Sequence, residues 1–249
     1  MSERLPIKLK REPLIDALFE MRFTGATSAS SILPGVLFSN LPGEKTIERL
    51  PTEQVPKPIR DSDPNLRFAP IVRLHWDKFS ISVGDRSLGV GCKMPYPGWE
   101  TFKPAILKVV NVLKEIGVVH LIHRFSMKYI DLIPANNLAD QISAINGTVV
   151  LGKHMLTQEN FSLRMEIPEE RMLHVVHVTS SATATMQDQS TLEGIIVDID
   201  TIASLENLDF AHWLELLSAE LESMHSANKA MFFECLRPET IASLEPVYE

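Results

Sequence analysis

The segment 118–134, VVHLIHRFSMKYIDLIP, constrains the fold of this chain more than any other stretch. Phe125, Met127, Tyr129 and Ile133 fall on one period-2 face, interrupted by Asp131, and Arg124, Ser126 and Lys128 fall on the other. That alternation over so long a run is the pattern of a strand with one buried face, and we read it as the central strand of a sheet. Immediately before it, residues 99–116 carry Phe102, Ile106, Val109, Val110 and Leu113 at helical spacing, with Gly117 just past the end. A strand of this length entered from an amphipathic helix needs a layered α+β core.

The rest of the chain supplies the neighbours. Residues 14–24 (LIDALFEMRFT) read as a strand, and 26–41 as a helix weakened by Pro34 and Gly35. Residues 41–68 hold Pro42, Pro51, Pro56, Pro58 and Pro64 and are expected to be a surface excursion. Three short runs, 69–76, 79–83 and 87–94, are joined by Asp77-Lys78 and Gly84-Asp85-Arg86, which predicts a β-meander. After the central strand come one helical turn at 136–142 and strands at 144–153, 160–167, 172–184 and 192–202. Asp209 is placed to cap a helix running to about Cys235, with Trp213, Leu217, Leu221 and Met224 on its apolar stripe. At ~1.5 Å per residue that helix spans about 40 Å, so it must lie across a sheet or pair with a partner.

The predicted class is therefore α+β: a predominantly antiparallel sheet with a meander, a mid-chain helix and a long C-terminal helix packed on the sheet. Runs of adjacent strands exclude a doubly wound parallel sheet. Residues 1–249 are read as one domain, built either as a unit or from two fused α+β halves, 12–117 and 118–249.

Three segments also carry a family resemblance: EPLIDALFEMRF (12–23), RFSMKYIDLIP (124–134) and LESMHSANKAMFFECLRPE (221–239). In this order they resemble the signatures of an uncharacterised, sporadically distributed prokaryotic protein family of about this length. Asp16, Lys128 and Asp131 stand where that family usually has Glu, Arg and Asn, and Met224 precedes His225. The resemblance implies no activity and no catalytic residue. The family's sporadic distribution suggests mobile-element or defence loci.

Composition narrows the chemistry. A formal charge of −8 argues against broad nucleic-acid binding, which depends on Lys and Arg neutralising phosphates. Cys92 and Cys235 lack CxxC partners, so neither a disulfide framework nor a zinc site is expected. No apolar run approaches 18 residues and the N-terminal stretch has no secretion core, so a cytoplasmic location without membrane association is expected.

Residue by residue, no reaction emerges. Asp198 and Asp200 share a strand face and could hold a divalent ion, but the phosphate-binding turn of such sites is missing. His120 and His123, like His174 and His177, are three apart, which on a strand sends the two rings to opposite faces. There is no G-x-S-x-G, and Gly89-Val90-Gly91 lacks the third glycine and the helix of a nucleotide fingerprint. No catalytic residue, metal or cofactor is assigned. The candidate binding residues are Arg22, Arg124, Lys128, Tyr129 and His225, the three cations forming a stripe if strands 14–24 and 118–134 are neighbours.

The candidate interface residues are Trp213, Leu217, Leu221 and Met224 of the long helix. The leading expectation is a non-enzymatic protein-interaction module, a homodimer or the subunit of a partner. The alternatives are a small-molecule sensor, with a pocket between sheet and long helix lined by Phe161, Met165 and Trp213, and an RNA-binding protein.

Overall fold

The computed structural model describes residues 5–185 and 191–248. In chain order the elements are β1 (Lys8–Leu9), β2 (Leu14–Thr24), α1 (Ala29–Asn40), β3 (Lys45–Arg49), a 3₁₀ turn (Pro51–Gln54) and α2 (Lys57–Ser62). The meander β4 (Val72–Trp76), β5 (Phe79–Val83) and β6 (Ser87–Cys92) precedes α3 (Trp99–Lys114) and β7 (Leu121–Pro134). Then come α4 (Leu138–Ala144), β8 (Val150–Leu151), β9 (His154–Met155), β10 (Ser162–Glu169), β11 (Met172–Thr185) and β12 (Thr191–Asp209). The chain closes with α5 (Phe210–Cys235), α6 (Pro238–Ser243) and β13 (Pro246–Val247).

Nine strands form one large antiparallel sheet in the order β10-β11-β12-β7-β2-β6-β5-β4-β3, with the long helix α5 packed on it. Strand β7 is interior, and its neighbour β2 occupies the middle place. The meander β4-β5-β6 pairs in the predicted order, Leu74 opposite Ile81 and Ile81 opposite Val90.

The chain divides into two compact units, 17–127 with 202–224, and 1–16 with 128–201 and 225–249. In the first, Phe19 and Met21 of β2, Leu74, Ile81, Leu88 and Val90 of the meander, Leu33 and Leu37 of α1, and Phe102 and Ile106 of α3 are fully buried. In the same unit the start of α5 is capped by Asp209, whose carboxylate accepts from the amides of Ala211 and His212 at 3.0 and 3.1 Å. Trp213 of α5 meets Phe125 of β7 edge to face at 5.4 Å between ring centres. In the second unit a separate core gathers Ile133, Val176, Val178, Ile195, Val197 and Ile199 under Met231, Phe232, Phe233 and Leu236.

Three expectations change. Residues 144–153 form no single strand: α4 runs to Ala144, and the Gly152 turn folds Val150–Leu151 back on His154–Met155 as a two-stranded hairpin. The proline-rich excursion carries a strand of the sheet, because Lys45–Arg49 lies clear of the prolines and pairs along β4 from Lys45 opposite Trp76 to Arg49 opposite Val72. Strand β12 continues past Ile202 to Asp209, so sheet and long helix join without a loop.

Candidate functional site

The hairpin β8-β9 is the most unusual feature of the surface. Val149, Val150, Leu151 and Met155 are 38, 56, 84 and 54% exposed. A two-stranded ribbon has no opposite layer on which to bury such side chains and is marginal in water by itself. Here it is held from below. The Asn146 amide donates to the Cys235 carbonyl at 2.8 Å, and its side chain donates to the Glu234 carbonyl at 3.2 Å. Gly152 takes φ +64° in the turn, where a side chain would cost energy.

Glu159 fastens the return strand. Its carboxylate accepts from the backbone amides of Thr157 and Gln158 at 2.9 and 3.1 Å and bonds His154 at 2.9 Å. Those backbone bonds, with His154 beside them, bring its pKa down to about 2. The result is a short apolar tip presented on a tethered loop.

The cationic candidates are occupied nearby. Arg22 bonds Glu20 at 2.7 Å and lies 4.6 Å from the centre of the Phe68 ring. Lys128 pairs with Asp198 at 2.8 Å. Arg124 is half-buried on β7, and the strands that carry Arg22 and Arg124 are neighbours in the sheet. Tyr129 and His225 do meet, hydroxyl to Nδ1 at 3.1 Å, joining β7 to α5.

The four interface candidates are placed inside the chain's own core. Trp213 is 1% exposed, and Leu217, Leu221 and Met224 are fully buried. A 26-residue amphipathic helix laid on a sheet spends its apolar stripe on that sheet, which leaves no such stripe for a partner. Of the trio placed at a sensor pocket, Trp213 is buried while Met165 is 42% exposed on β10.

One arrangement not foreseen from the sequence imitates a catalytic relay. His174 is fully buried, with Nε2 2.8 Å from Glu169 and Nδ1 2.9 Å from the Thr201 hydroxyl. Asn228 of α5 donates to that same hydroxyl at 2.8 Å and to the Ile199 carbonyl at 3.0 Å. Thr201 thus accepts from Asn228, and with the His174 ring neutral and protonated on Nε2 it donates to Nδ1 while Nε2 donates to Glu169. Thr201 is fully buried, so no substrate reaches it, and the chain acts as a polar clamp between helix and sheet. His177 faces away from it and bonds Ser162 at 2.7 Å.

Among the described residues no group of three or more His, Cys, Asp and Glu side chains is placed to hold a metal ion. Among them too, no helix is long and apolar enough to cross a membrane. Comparison of the chain with protein-family models and with curated proteins finds no match.

Proposed function

We propose that this protein works by contact with another protein rather than by catalysis, as an interaction module of the cytoplasm that either self-associates or joins a partner subunit. The observation that carries the reading is the hairpin tip: Leu151 is 84% exposed, with Val150 and Met155 beside it, on a loop tethered by Asn146 and Glu159. An apolar anchor on a tethered loop suits an interface because tethering lowers the conformational freedom lost when it docks. Covering one such side chain is worth about 1.5–3 kcal/mol.

The test is Leu151→Asp. Leu151 contributes nothing to the core, so the variant is expected to melt with the wild type while losing the contact. Sedimentation velocity from about 5 to 200 µM, with size exclusion of tagged protein from host extract, should show a larger species that the variant dissolves. A wild-type chain that runs as a monomer in both settings, indistinguishable from Leu151→Asp, would overturn the proposal.

A further inference from the structure

A second feature, independent of the hairpin, is a cleft of about 490 Å³ in the unit 17–127 with 202–224. Helix α1 packs on β4 and β5, and residues of α1, β3, the 3₁₀ turn, α2 and the start of β4 line an open trough. Its size falls within the range of small-molecule sites. We propose that this cleft binds a small carboxylate carrying an apolar group.

One end of the cleft is a fixed guanidinium. Arg60 is only 9% exposed although it is the longest cationic side chain available. Its Nε and Nη2 donate to Asp85 Oδ2 at 3.1 and 2.8 Å, and its Nη1 donates to the Val55 carbonyl. Asp85 is itself held by the hydroxyls of Ser28 and Ser30, the latter at 2.7 Å. Three of the guanidinium's five N–H groups are thus used for orientation, and the planar fork that remains suits a carboxylate. Arg49 stands at the mouth in an exposed pair with Glu53, and such pairs yield readily to a competing anion.

Aliphatic side chains lie along the trough among its polar groups. Ile71 and Val72 border it while themselves nearly buried, and Ile47, 46% exposed on β3, is a large aliphatic side chain left partly in water. Helix α1 faces these residues with Pro34 and Gly35, both poor helix formers, at its centre. Pro34 has no N–H to return to the Ser30 carbonyl, and a Cβ placed on Gly35 would meet nothing within 4 Å. Packing therefore does not require glycine there. Its absent side chain leaves open space on the helix side of the trough.

The experiment uses the full chain labelled with ¹⁵N and three probes of one shape: 4-methylpentanoate, leucine and 3-methylbutylamine. Both carboxylates are expected to shift the Ser30, Gly35 and Ile47 amides saturably, and the amine is not. Leucine binding more tightly than 4-methylpentanoate would mean that Glu53 receives the ammonium group, and the reverse would mean that it does not; either result fits a carboxylate site. Gly35→Phe, at a position where an added Cβ meets nothing within 4 Å, should weaken binding at least tenfold. Arg49→Ala, exposed and safe for folding, should weaken it about threefold. Absence of saturable shifts with both carboxylates, equal binding of the amine, or unchanged affinity in both variants would overturn the proposal.

Discussion

Two aspartates, one in each compact unit, are both nearly closed to solvent, and their carboxyls shift in opposite directions. Asp85 is 5% exposed in the turn between β5 and β6; Asp131 is 6% exposed on the inner face of β7. Burial alone would push both carboxyls up. At Asp85 the hydrogen bonds from Ser28, Ser30 and Arg60, and then the Arg60 charge, outweigh that push and hold the group below the ordinary carboxylate range. At Asp131 burial is joined by the negative charge of Glu12, and the group is driven well above it. At Asp85 the groups brought against the carboxyl outweigh burial, whereas at Asp131 burial leads and Glu12 adds to it.

The largest effect should come from removing the cation of the first pair. Arg60→Ala leaves Asp85 buried with only the Ser28 and Ser30 hydroxyls against it, and loss of one partner of a buried pair costs about 3–5 kcal/mol. A fall in Tm of about 10 °C is expected by calorimetry. A fall of less than 2 °C would show that Asp85 does not depend on the guanidinium.

A smaller effect of opposite sign is expected at Asp131. A carboxyl whose folded pKa is raised favours folding fully only below its unfolded pKa, and that contribution is lost as pH rises through the folded value. Asp131→Asn, which cannot ionise, should leave stability near pH 4 unchanged and raise Tm at pH 8 by about 3 °C. Melting curves that shift equally at both pH values would remove the ionisation argument. For Asp85 the sign reverses: its depressed carboxyl favours folding above the unfolded pKa, and that contribution fades as pH falls through the folded value.

The smallest effect sharpens the contrast. Glu12→Gln removes the negative charge that acts on Asp131 but not the burial, which is the larger cause. The loss of stability between pH 4 and pH 8 should shrink by a few tenths of a kcal/mol, a surface-charge effect that salt screens. An effect of Glu12→Gln as large as that of Asp131→Asn would place the charge ahead of burial.

Much of the scaffold was legible before any coordinates. The period-2 runs of β2, β7 and the meander, the helical stripe of α3 and the Asp209 cap of α5 each rest on neighbours in sequence, where periodicity is a direct record of which face is buried. The hairpin was missed because Val149, Val150 and Leu151 read as one β-rich run. Gly152-Lys153, set between VVL and HML, was the turn signal that could have revealed it. Strand β3 was hidden by the prolines on either side of it.

The sites were much less legible. Arg60 and Asp85 stand 25 residues apart, and His174 stands 27 from Thr201, so no spacing rule joins them. The apolar stripe on α5 was visible as a stripe, yet its occupant was not. A row of leucines at helical spacing is the same whether it faces a partner or the chain's own sheet.

By itself the sequence determined the class of fold, the positions of the long strand and the two principal helices, and the weakness of α1 at Pro34-Gly35. These follow from local backbone preference and from the period of apolar residues. Only the tertiary structure decided that Trp213, Leu217, Leu221 and Met224 are core, that Val150 and Leu151 are surface, and that the Asp85 carboxyl is pulled down while that of Asp131 is pushed up. The reason is physical: burial and electrostatics are properties of what surrounds a group in space, and residues distant in sequence supply most of those surroundings.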